Sequence, residues 1–370
     1  MKTTEGAGVN HLPFLLSTLK KNSILIKVKK EGILLEKRDF GYEADGVLNP
    51  AVIQYGGKIH MFYRAVGKGN CSTIGYCRLS DPMTVEYRKD TPLIVGQTEE
   101  ESQGIEDPRI VKIDNTFYLT YTAYDGVNAL GSLMISKDLV SFTRFGVVVP
   151  RISFDEFSRL SGAKNLINEK YLRYNKHEGL KEIEGKPVYV WDKNVVFFPR
   201  KINGKFYFLH RIRPDIQIAS VSNLGELNSS YWQKYFLKLD QHIILTPKHN
   251  HEVSYIGGGC PPIETEEGWI LIYHSVCDTL EGYVYSASAA LMDLNRPQIE
   301  LARLDYPLFV PDQLWELRGE VNNVCFPTGA IVTGDKLYIY YGAADEHIAC
   351  ASLSINELLK ELKSKKHAEI

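Results

Sequence analysis

Short apolar runs separated by polar turns recur along the chain, and five pairs of runs share one pattern. In each pair an apolar run is followed by a turn rich in Gly, Asn, Asp or Glu and then by an aromatic-rich run. The second runs lie at 60–63, 118–121, 207–210, 270–273 and 338–341. Turn residues that tolerate positive φ between β-branched or aromatic flanks are typical of β-hairpins. The pattern therefore predicts five hairpins.

A proline stands near the start of each predicted hairpin, and the five copies can be aligned on it. The aligned pairs are Asn49-Pro50, Asp107-Pro108, Phe198-Pro199, Cys260-Pro261 and Phe326-Pro327. Only the second copy has a carboxylate before its proline. Asp107 is therefore the exceptional residue of the repeat.

Further strand-like runs lie between successive hairpins, so that each repeat holds about four strands. They lie at 72–78 with 84–88, 130–136 with 142–149, 216–221 with 232–239, and 283–292 with 298–304. The fifth repeat is short of strands, and runs at 24–29 and 33–37 can supply the missing one. We therefore predict an all-β fold, a five-bladed β-propeller closed by its N-terminal segment. A β-sandwich is the alternative, but it gives no reason for five aligned units.

The repeats make the whole chain, 1–370, one predicted domain with three additions. Residues 1–23 form an N-terminal arm. The wide gap between Pro108 and Pro199 indicates a charged, helical insertion at about 151–192, which is either a lid over a site or a surface decoration. Leucines at helical spacing predict a short C-terminal helix at 355–365.

Composition narrows the class of protein. With 44% hydrophobic residues, 24% charged residues and a formal net charge of -2, the chain lacks the basic excess of a nucleic-acid-binding surface. Its six cysteines include no CxxC pair, so we expect no metal site and reduced thiols in a cytoplasm. The apolar stretch at 12–16 is too short for a signal-peptide core or a membrane span. We therefore expect neither export nor membrane insertion, and the oligomeric state is open, with a homo-oligomer as one option.

In a propeller, equivalent residues of the blades converge on one axis, so residues at the same position of each repeat can form a single site. The residues after the aromatic runs are Arg64, Thr122, Arg211, His274 and Gly342, and Asp125 and Asp345 follow a few positions later. Taken singly, Asp107 can cap a turn, the arginines can form structural ion pairs, and His274 can be a core histidine. Burying two arginines and a histidine around one channel is costly unless an anion or carboxylates complete the set.

The chain resembles the β-mannoside phosphorylases, glycoside hydrolase family 130, which have a five-bladed propeller fold. The resemblance covers about residues 30–360. It rests on the motifs Gly-Ile-Glu-Asp-Pro-Arg at 104–109, Gly-Gly-Cys-Pro-Pro-Ile at 258–263, Gly-Trp-Ile-Leu-Ile-Tyr-His at 268–274 and Tyr-Gly-Ala-Ala-Asp at 341–345.

The resemblance implies roles for individual residues. Asp107 corresponds to the proton donor, and Asn49, Arg64 and Asp345 to contacts with the mannosyl unit; we add Asp125 to the substrate-binding set. Those implied to bind phosphate are Lys193, Arg211, His274 and Tyr285. Two positions depart from the family: Lys193 replaces an arginine and loses its bidentate fork, and Tyr255 stands where phosphorylases have a lysine.

The resemblance implies an inverting phosphorylase that takes a mannoside or oligosaccharide and inorganic phosphate, needs no other cofactor, and releases α-mannose 1-phosphate. A single acid suffices if phosphate is the nucleophile, whereas attack by water requires a second carboxylate as base. The alternatives are an inverting β-mannosidase using Glu252, Glu264 or an aspartate as base, a β-mannosyltransferase, and a non-catalytic sugar-binding propeller. A buried acid facing cations argues against the last of these.

Overall fold

The computed structural model describes residues 26–39, 41–162, 167–179 and 186–365, and β-strands dominate it. The predicted arm at 1–23 and the start of the run at 24–29 lie outside these ranges. In chain order the strands are β1 (Lys29–Leu35), β2 (Gly46–Tyr55), β3 (Lys58–Gly67), β4 (Cys71–Asp81), β5 (Thr84–Arg88), β6 (Gly104–Ile113), β7 (Thr116–Tyr124), β8 (Ala129–Ser136), β9 (Phe142–Val147), β10 (Lys193–Phe197), β11 (Phe206–Arg211), β12 (Ile216–Val221), β13 (Ile243–Leu245), β14 (Tyr255–Gly258), β15 (Ile263–Thr265), β16 (Gly268–Thr279), β17 (Gly282–Met292), β18 (Glu300–Arg303), β19 (Cys325–Thr333), β20 (Lys336–Ala343) and β21 (His347–Ser354).

Five α-helices accompany the strands in the described residues. They are α1 (Phe154–Ser161), α2 (Lys170–Gly179), α3 (Ser229–Phe236), α4 (Leu314–Leu317) and α5 (Ile355–Ser364). Helices α1 and α2 belong to the predicted insertion at 151–192, and α5 is the predicted C-terminal helix. In the part of the chain that the structure describes, no helix has both the length and the apolar character needed to cross a membrane.

The strands form consecutive antiparallel groups. Strands β10 to β13 make one sheet, β14 to β18 a second, and β19, β20 and β21 a third that is completed by β1. The remaining sheet contains the groups β2 to β5 and β6 to β9, which only a single parallel bridge between Ser72 and Gly104 joins. The N-terminal strand β1 pairs antiparallel with β21, from Lys29 opposite Ser352 to Leu35 opposite Ile348.

Hydrophobic clusters fill the spaces between consecutive groups. Phe62 of β3 packs with Leu119 of β7 in one cluster, and each later pair of neighbouring groups has a cluster of its own. A fifth cluster joins the last group to the first, where Tyr340 of β20 packs with Met61 of β3. Apolar burial therefore holds the groups together in a cycle.

A buried acid recurs once in every group and contacts the last residue of the aromatic run. The five pairs are Glu43 with Tyr63, Glu101 with Tyr121, Asp192 with His210, Glu252 with Tyr273, and Glu316 with Tyr341, at 2.5 to 2.9 Å. In four groups a cation from the outermost strand completes the contact. These cations are Arg88, Arg144, Arg303 and Lys30. The acids thus link the loop before each first strand to the second and the outermost strands.

The structure differs from the predicted strands at two places. The run at 232–239 was expected to be extended, but α3 occupies Ser229–Phe236. The Asn228 side chain caps this helix by accepting from the backbone N–H groups of Ser230 and Tyr231, and Trp232, Tyr235 and Phe236 are buried at helical spacing. At the N-terminus the strand β1, Lys29–Leu35, spans the gap between the predicted runs at 24–29 and 33–37, and the described residues 26–28 are not in a strand.

Candidate active site

The register of the hairpins brings the residues after the aromatic runs into equivalent positions, as predicted. Five cross-strand pairs correspond: Leu48 with Arg64, Glu106 with Thr122, Lys193 with Arg211, Gly257 with His274, and Phe326 with Gly342. This register corrects the alignment on proline. Asn194 and Gly258, rather than Phe198 and Cys260, correspond to Asp107, and Phe326 corresponds to Glu106. Cross-strand hydrogen bonds, rather than the identity of a proline, set the equivalence.

A β-bulge follows this pair in three of the first strands. The register shifts after Leu48, Glu106 and Lys193, and the next residue in each case, Asn49, Asp107 or Asn194, has φ between 49° and 56°. Asn and Asp adopt this left-handed conformation more readily than other residues with a Cβ. Bulges re-aim side chains, so three strands present a polar group by the same device.

Asp107 lies among cations and amides. Asn49 donates through Nδ2 to Asp107 Oδ1 at 2.7 Å, and Arg64 Nη1 lies 3.6 Å from the same oxygen. Arg109, which is fully buried, donates to the Asp107 backbone carbonyl at 2.7 Å and to Gly259 across the site at 2.8 Å. Burial alone would raise the pKa of Asp107, but Arg64, Arg109 and Lys193 together lower it. Without a ligand, Asp107 is therefore a carboxylate.

Asp345 is perturbed in the opposite direction. Its carboxyl is partly exposed and its φ is 54°. Burial is the main reason that its pKa rises to about 6; Arg64 lowers the pKa, and the negative charges of Asp107 and Glu106 raise it further. Two carboxyls whose pKa values move apart are a pattern of acid–base sites.

Glu106 is a member of the site that the sequence did not reveal. It accepts from Arg64 Nη2 at 2.9 Å through one oxygen and lies 3.4 Å from Lys193 Nζ through the other. Arg64 also donates through Nε to Ser72 at 2.8 Å. Glu106 therefore links Arg64, a predicted mannosyl contact, to Lys193, a predicted phosphate-binding residue. Glu106 directly precedes Asp107, and in a regular strand neighbouring side chains point to opposite faces, so sequence alone offered no reason to place Glu106 in the site. The bulge brings both side chains to the site.

His274 and Asn194 present buried nitrogen atoms without protein partners. Neither ring nitrogen of His274, nor Nδ2 of Asn194, has a hydrogen-bond partner among the described residues. Both side chains cover Gly257, where a Cβ would lie 2.4 Å from His274 Cε1 and 2.6 Å from Asn194 Nδ2. Burial, reinforced by Arg211, Arg109 and Arg213, holds the pKa of His274 well below its usual range. Such unsatisfied buried groups indicate a ligand.

The remaining predicted phosphate residues adjoin this pair. Lys193 and Arg211 face each other across β10 and β11. The Tyr285 ring lies 6.2 Å from the His274 ring, and its hydroxyl is hydrogen-bonded to that of Tyr255. Burial raises the pKa of Tyr285, which is therefore a neutral donor. The four predicted residues thus lie in one neighbourhood.

Asp125 has a local structural role that competes with its predicted one. Its Oδ1 accepts from the backbone N–H groups of Val127 and Asn128 at 2.8 and 2.7 Å, and Oδ2 accepts from the Asn128 amide at 3.2 Å. It also lines a cavity of about 150 Å³ together with Arg151 and Tyr189 at the ends of the insertion. None of the Asp107 cluster lines that cavity. A role of Asp125 in substrate binding stays a prediction.

Comparison with known proteins places these motifs in a family. The family profile described as β-1,4-mannooligosaccharide phosphorylase matches residues 35–183 and 171–364. A β-1,2-mannobiose phosphorylase of Thermoanaerobacter sp. (strain X514) is 33% identical over 341 residues, covering 88% of this chain and 96% of the relative. A 1,2-β-oligomannan phosphorylase of the same organism is 33% identical over 350 residues, covering 90% and 99%.

Solved structures agree on the fold. The β-1,2-mannobiose phosphorylase of Listeria innocua, in complex with β-1,2-mannobiose, superposes with a TM-score of 0.65 at 24% identity, covering 86% of this chain and 92% of that one. A mannose phosphorylase of Leishmania mexicana in complex with a phosphate ion gives a TM-score of 0.58 at 13% identity, covering 94% of both chains. The family profile and the long relatives together show that this chain belongs to glycoside hydrolase family 130, the family of the β-mannoside phosphorylases.

Proposed function

We propose that the protein cleaves β-mannosides by inverting phosphorolysis and releases α-mannose 1-phosphate. The observation that carries the proposal is the set of buried nitrogen atoms on His274 and Asn194, which have no protein partner among the described residues and stand beside Lys193 and Arg211. Donors and cations grouped in this way suit an oxyanion, because charge-assisted hydrogen bonds are the strong ones. The two long relatives are phosphorylases by name, so inorganic phosphate is the proposed oxyanion.

The hydrolase alternative finds no free base at the two glutamates that the sequence offered. Glu252 is buried against Tyr273 and Arg303, at 2.5 and 3.3 Å, and ties loop and strands together. Glu264 forms an exposed ion pair with Arg200 at 2.7 Å. Glu106 lies in the site, but each of its oxygens faces a cation. An attacking water would need a free carboxylate.

Asp107 is the proposed proton donor to the leaving oxygen, while a phosphate oxygen attacks the anomeric carbon from the opposite face. Its lowered pKa in the free protein means that it must gain its proton when substrate and phosphate bind. A bound phosphate supplies negative charge that offsets Arg109 and Lys193, and exclusion of water disfavours the carboxylate further. Asn49, Arg64 and Asp345 surround Asp107 and are the proposed contacts to the mannosyl unit.

We further propose that the five strand groups are the blades of a propeller and that the chain is one domain. The cycle of five hydrophobic clusters supports this arrangement, as does the pairing of β1 with the last group. All six cysteines lie in the described part of the chain as free thiols, which fits the proposed cytoplasmic location. Three relatives that cover most of the chain act by name on β-1,2-linked mannosides, so β-1,2-mannobiose is the proposed substrate.

The test is incubation with β-1,2-mannobiose and β-1,4-mannobiose, each with and without phosphate, followed by separation of the sugar products. We expect mannose 1-phosphate to form only with phosphate, and an Arg211→Ala variant to lose this activity while still binding mannose. Release of two mannose molecules per disaccharide regardless of phosphate, with no sugar phosphate, would leave the inverting mannosidase as the function.

A further inference from the structure

Arg213 lies at the phosphate neighbourhood although no repeat position drew attention to it. Its guanidinium stacks on the ring of Tyr255 at 4.5 Å from the centroid, and Arg211 approaches the same ring at 5.2 Å. The hydroxyl of Tyr255 in turn contacts that of Tyr285. Tyr255 thus places two arginines beside one predicted phosphate-binding residue. Both arginines also lower the pKa of His274, which shows that their charges reach it.

The insertion fixes the loop that carries Arg213. Asn175 of α2, which is 1% exposed, donates through Nδ2 to the backbone carbonyl of Arg213 at 3.1 Å. One turn earlier, the buried Tyr171 hydroxyl accepts from Gln217 at 2.7 Å, and Gln217 also donates to the carbonyl of Ile212 at 2.9 Å. Helix α2 therefore holds the backbone on both sides of Arg213.

The same helix also contacts Tyr255 and the segment before it. The ring of Tyr174 meets the ring of Tyr255 edge-on, with centroids 6.3 Å apart. Lys170 donates to the carbonyl of Val253 at 2.7 Å. Since α2 contacts both the Arg213 loop and the segment that carries Tyr255, it sets the position of the cation relative to the ring.

The charges that act on His274 are those of arginines. Burial lowers the pKa of His274 most, and Arg211, Arg109 and Arg213 lower it further. A phosphate group carries roughly 1.5 to 2 negative charges near neutral pH. Arg213, like Arg211, would therefore attract a phosphate group held beside His274.

We propose that Arg213 is a phosphate-binding residue of this enzyme and that α2 of the insertion is the element that positions it. The inference rests on the proposed phosphorolysis and gives the insertion a function at the phosphate end of the site. Tyr255, where the family resemblance led us to expect a lysine, then serves as the platform on which the replacement cation stacks.

The test measures the KM for phosphate and the KM for mannobiose separately in Arg213→Ala, together with binding of inorganic phosphate alone by calorimetry. Loss of charge-assisted hydrogen bonds predicts a KM and Kd for phosphate higher by roughly 10- to 100-fold, with the KM for mannobiose within about 2-fold. Arg213→Lys keeps the charge and should recover part of the loss. Asn175→Ala should raise the KM for phosphate less than Arg213→Ala does, with the KM for mannobiose unchanged.

Arg159→Ala is the matched control, because Arg159 belongs to the same insertion but its side chain is 70% exposed. Its kinetics should equal those of the unaltered protein. If that protein requires phosphate but Arg213→Ala changes neither KM nor Kd for phosphate, the inference on Arg213 is wrong and the proposed function stands. If the unaltered protein releases mannose without phosphate, yet binds phosphate through Arg213, the inference on Arg213 stands and the proposed function is wrong. No phosphate binding at all would refute both.

Discussion

Replacing Asp345 by asparagine is expected to stabilise the fold at neutral pH while it damages the site. Burial raises the pKa of Asp345 from 3.8 to about 6, so the folded protein favours the protonated carboxyl. Stability from this group is complete below the unfolded pKa of 3.8 and is lost as the pH rises through 6. An asparagine amide at this position imitates the protonated carboxyl and does not titrate, so the variant escapes that loss.

The size of the effect follows from the pKa difference. About two pKa units correspond to about 3 kcal/mol at ~1.36 kcal/mol per unit, an upper bound because the carboxyl is partly exposed. With an unfolding entropy of about 2.1 cal/mol/K per residue, the whole chain would gain at most about 4 °C in Tm. The Tm of Asp345→Asn should exceed that of the unaltered protein by the full amount at pH 7 to 8 and by close to zero at pH 4.

Thermal unfolding of the two proteins across pH 4 to 8 is the assay, with Asp39→Asn as control because Asp39 is exposed. We expect the difference in Tm between Asp345→Asn and the unaltered protein to grow with pH, and no such trend for the control. A difference that stays constant across this range would refute the reasoning, since it would show that Asp345 titrates equally in both states.

Two further predictions concern Asp107 and the buried acids. Asp107→Asn removes the proton donor, so kcat on an unactivated β-mannoside should fall roughly 10²- to 10⁴-fold with an unchanged circular dichroism spectrum, and retained activity would exclude Asp107 from the mechanism. Glu252→Gln removes one of the two carboxylate partners of the buried Arg303, which keeps Glu300, and weakens the contact with Tyr273, so chemical denaturation should show a loss of about 1.5 to 3 kcal/mol. The exposed pair of Glu264 with Arg200 provides the control, because Glu264→Gln should cost at most about 1 kcal/mol; equal losses in the two variants would contradict the structural role of Glu252.

The hairpins were predictable because alternation and turn chemistry are local properties of the sequence. The aromatic runs end at equivalent positions in all five groups, so Arg64, Arg211 and His274 could be assigned together from sequence alone. The alignment on proline succeeded at Pro50 and Pro108, where the proline lies in a bulge. It failed at Pro199, which follows β10, because register is set by cross-strand bonding over the whole hairpin.

The missed site residues depend on long-range geometry. Nothing near Arg213 in the sequence predicts that an insertion some forty residues earlier will hold its loop. The sequence indicated Asn194 only weakly, because it follows the charged Lys193 as Asp107 follows Glu106. It was missed because the third repeat was aligned on Phe198-Pro199. The sequence indicated the buried acids more clearly. Glu43, Glu101 and Glu252 each stand six residues before Asn49, Asp107 and Gly258 respectively. That regular spacing would have located the bulges in β2 and β6 from sequence, but not the bulge in β10, where the acid Asp192 stands only two residues before Asn194.

The pairing of β1 with β21 has a consequence for how the protein is made. Lys30 reaches the buried Glu316, and Lys29 lies opposite Ser352, so contacts between residues about 300 positions apart complete the last sheet. A ribosome releases the chain from its N-terminus onward, so β1 must wait, unpaired, until β19 to β21 have emerged. Such distant contacts slow folding and leave strand edges open to aggregation in the meantime. The nascent chain therefore has the most need of a chaperone before β21 has emerged, and the sheet of β1 and β19 to β21 can form only after that strand has been translated.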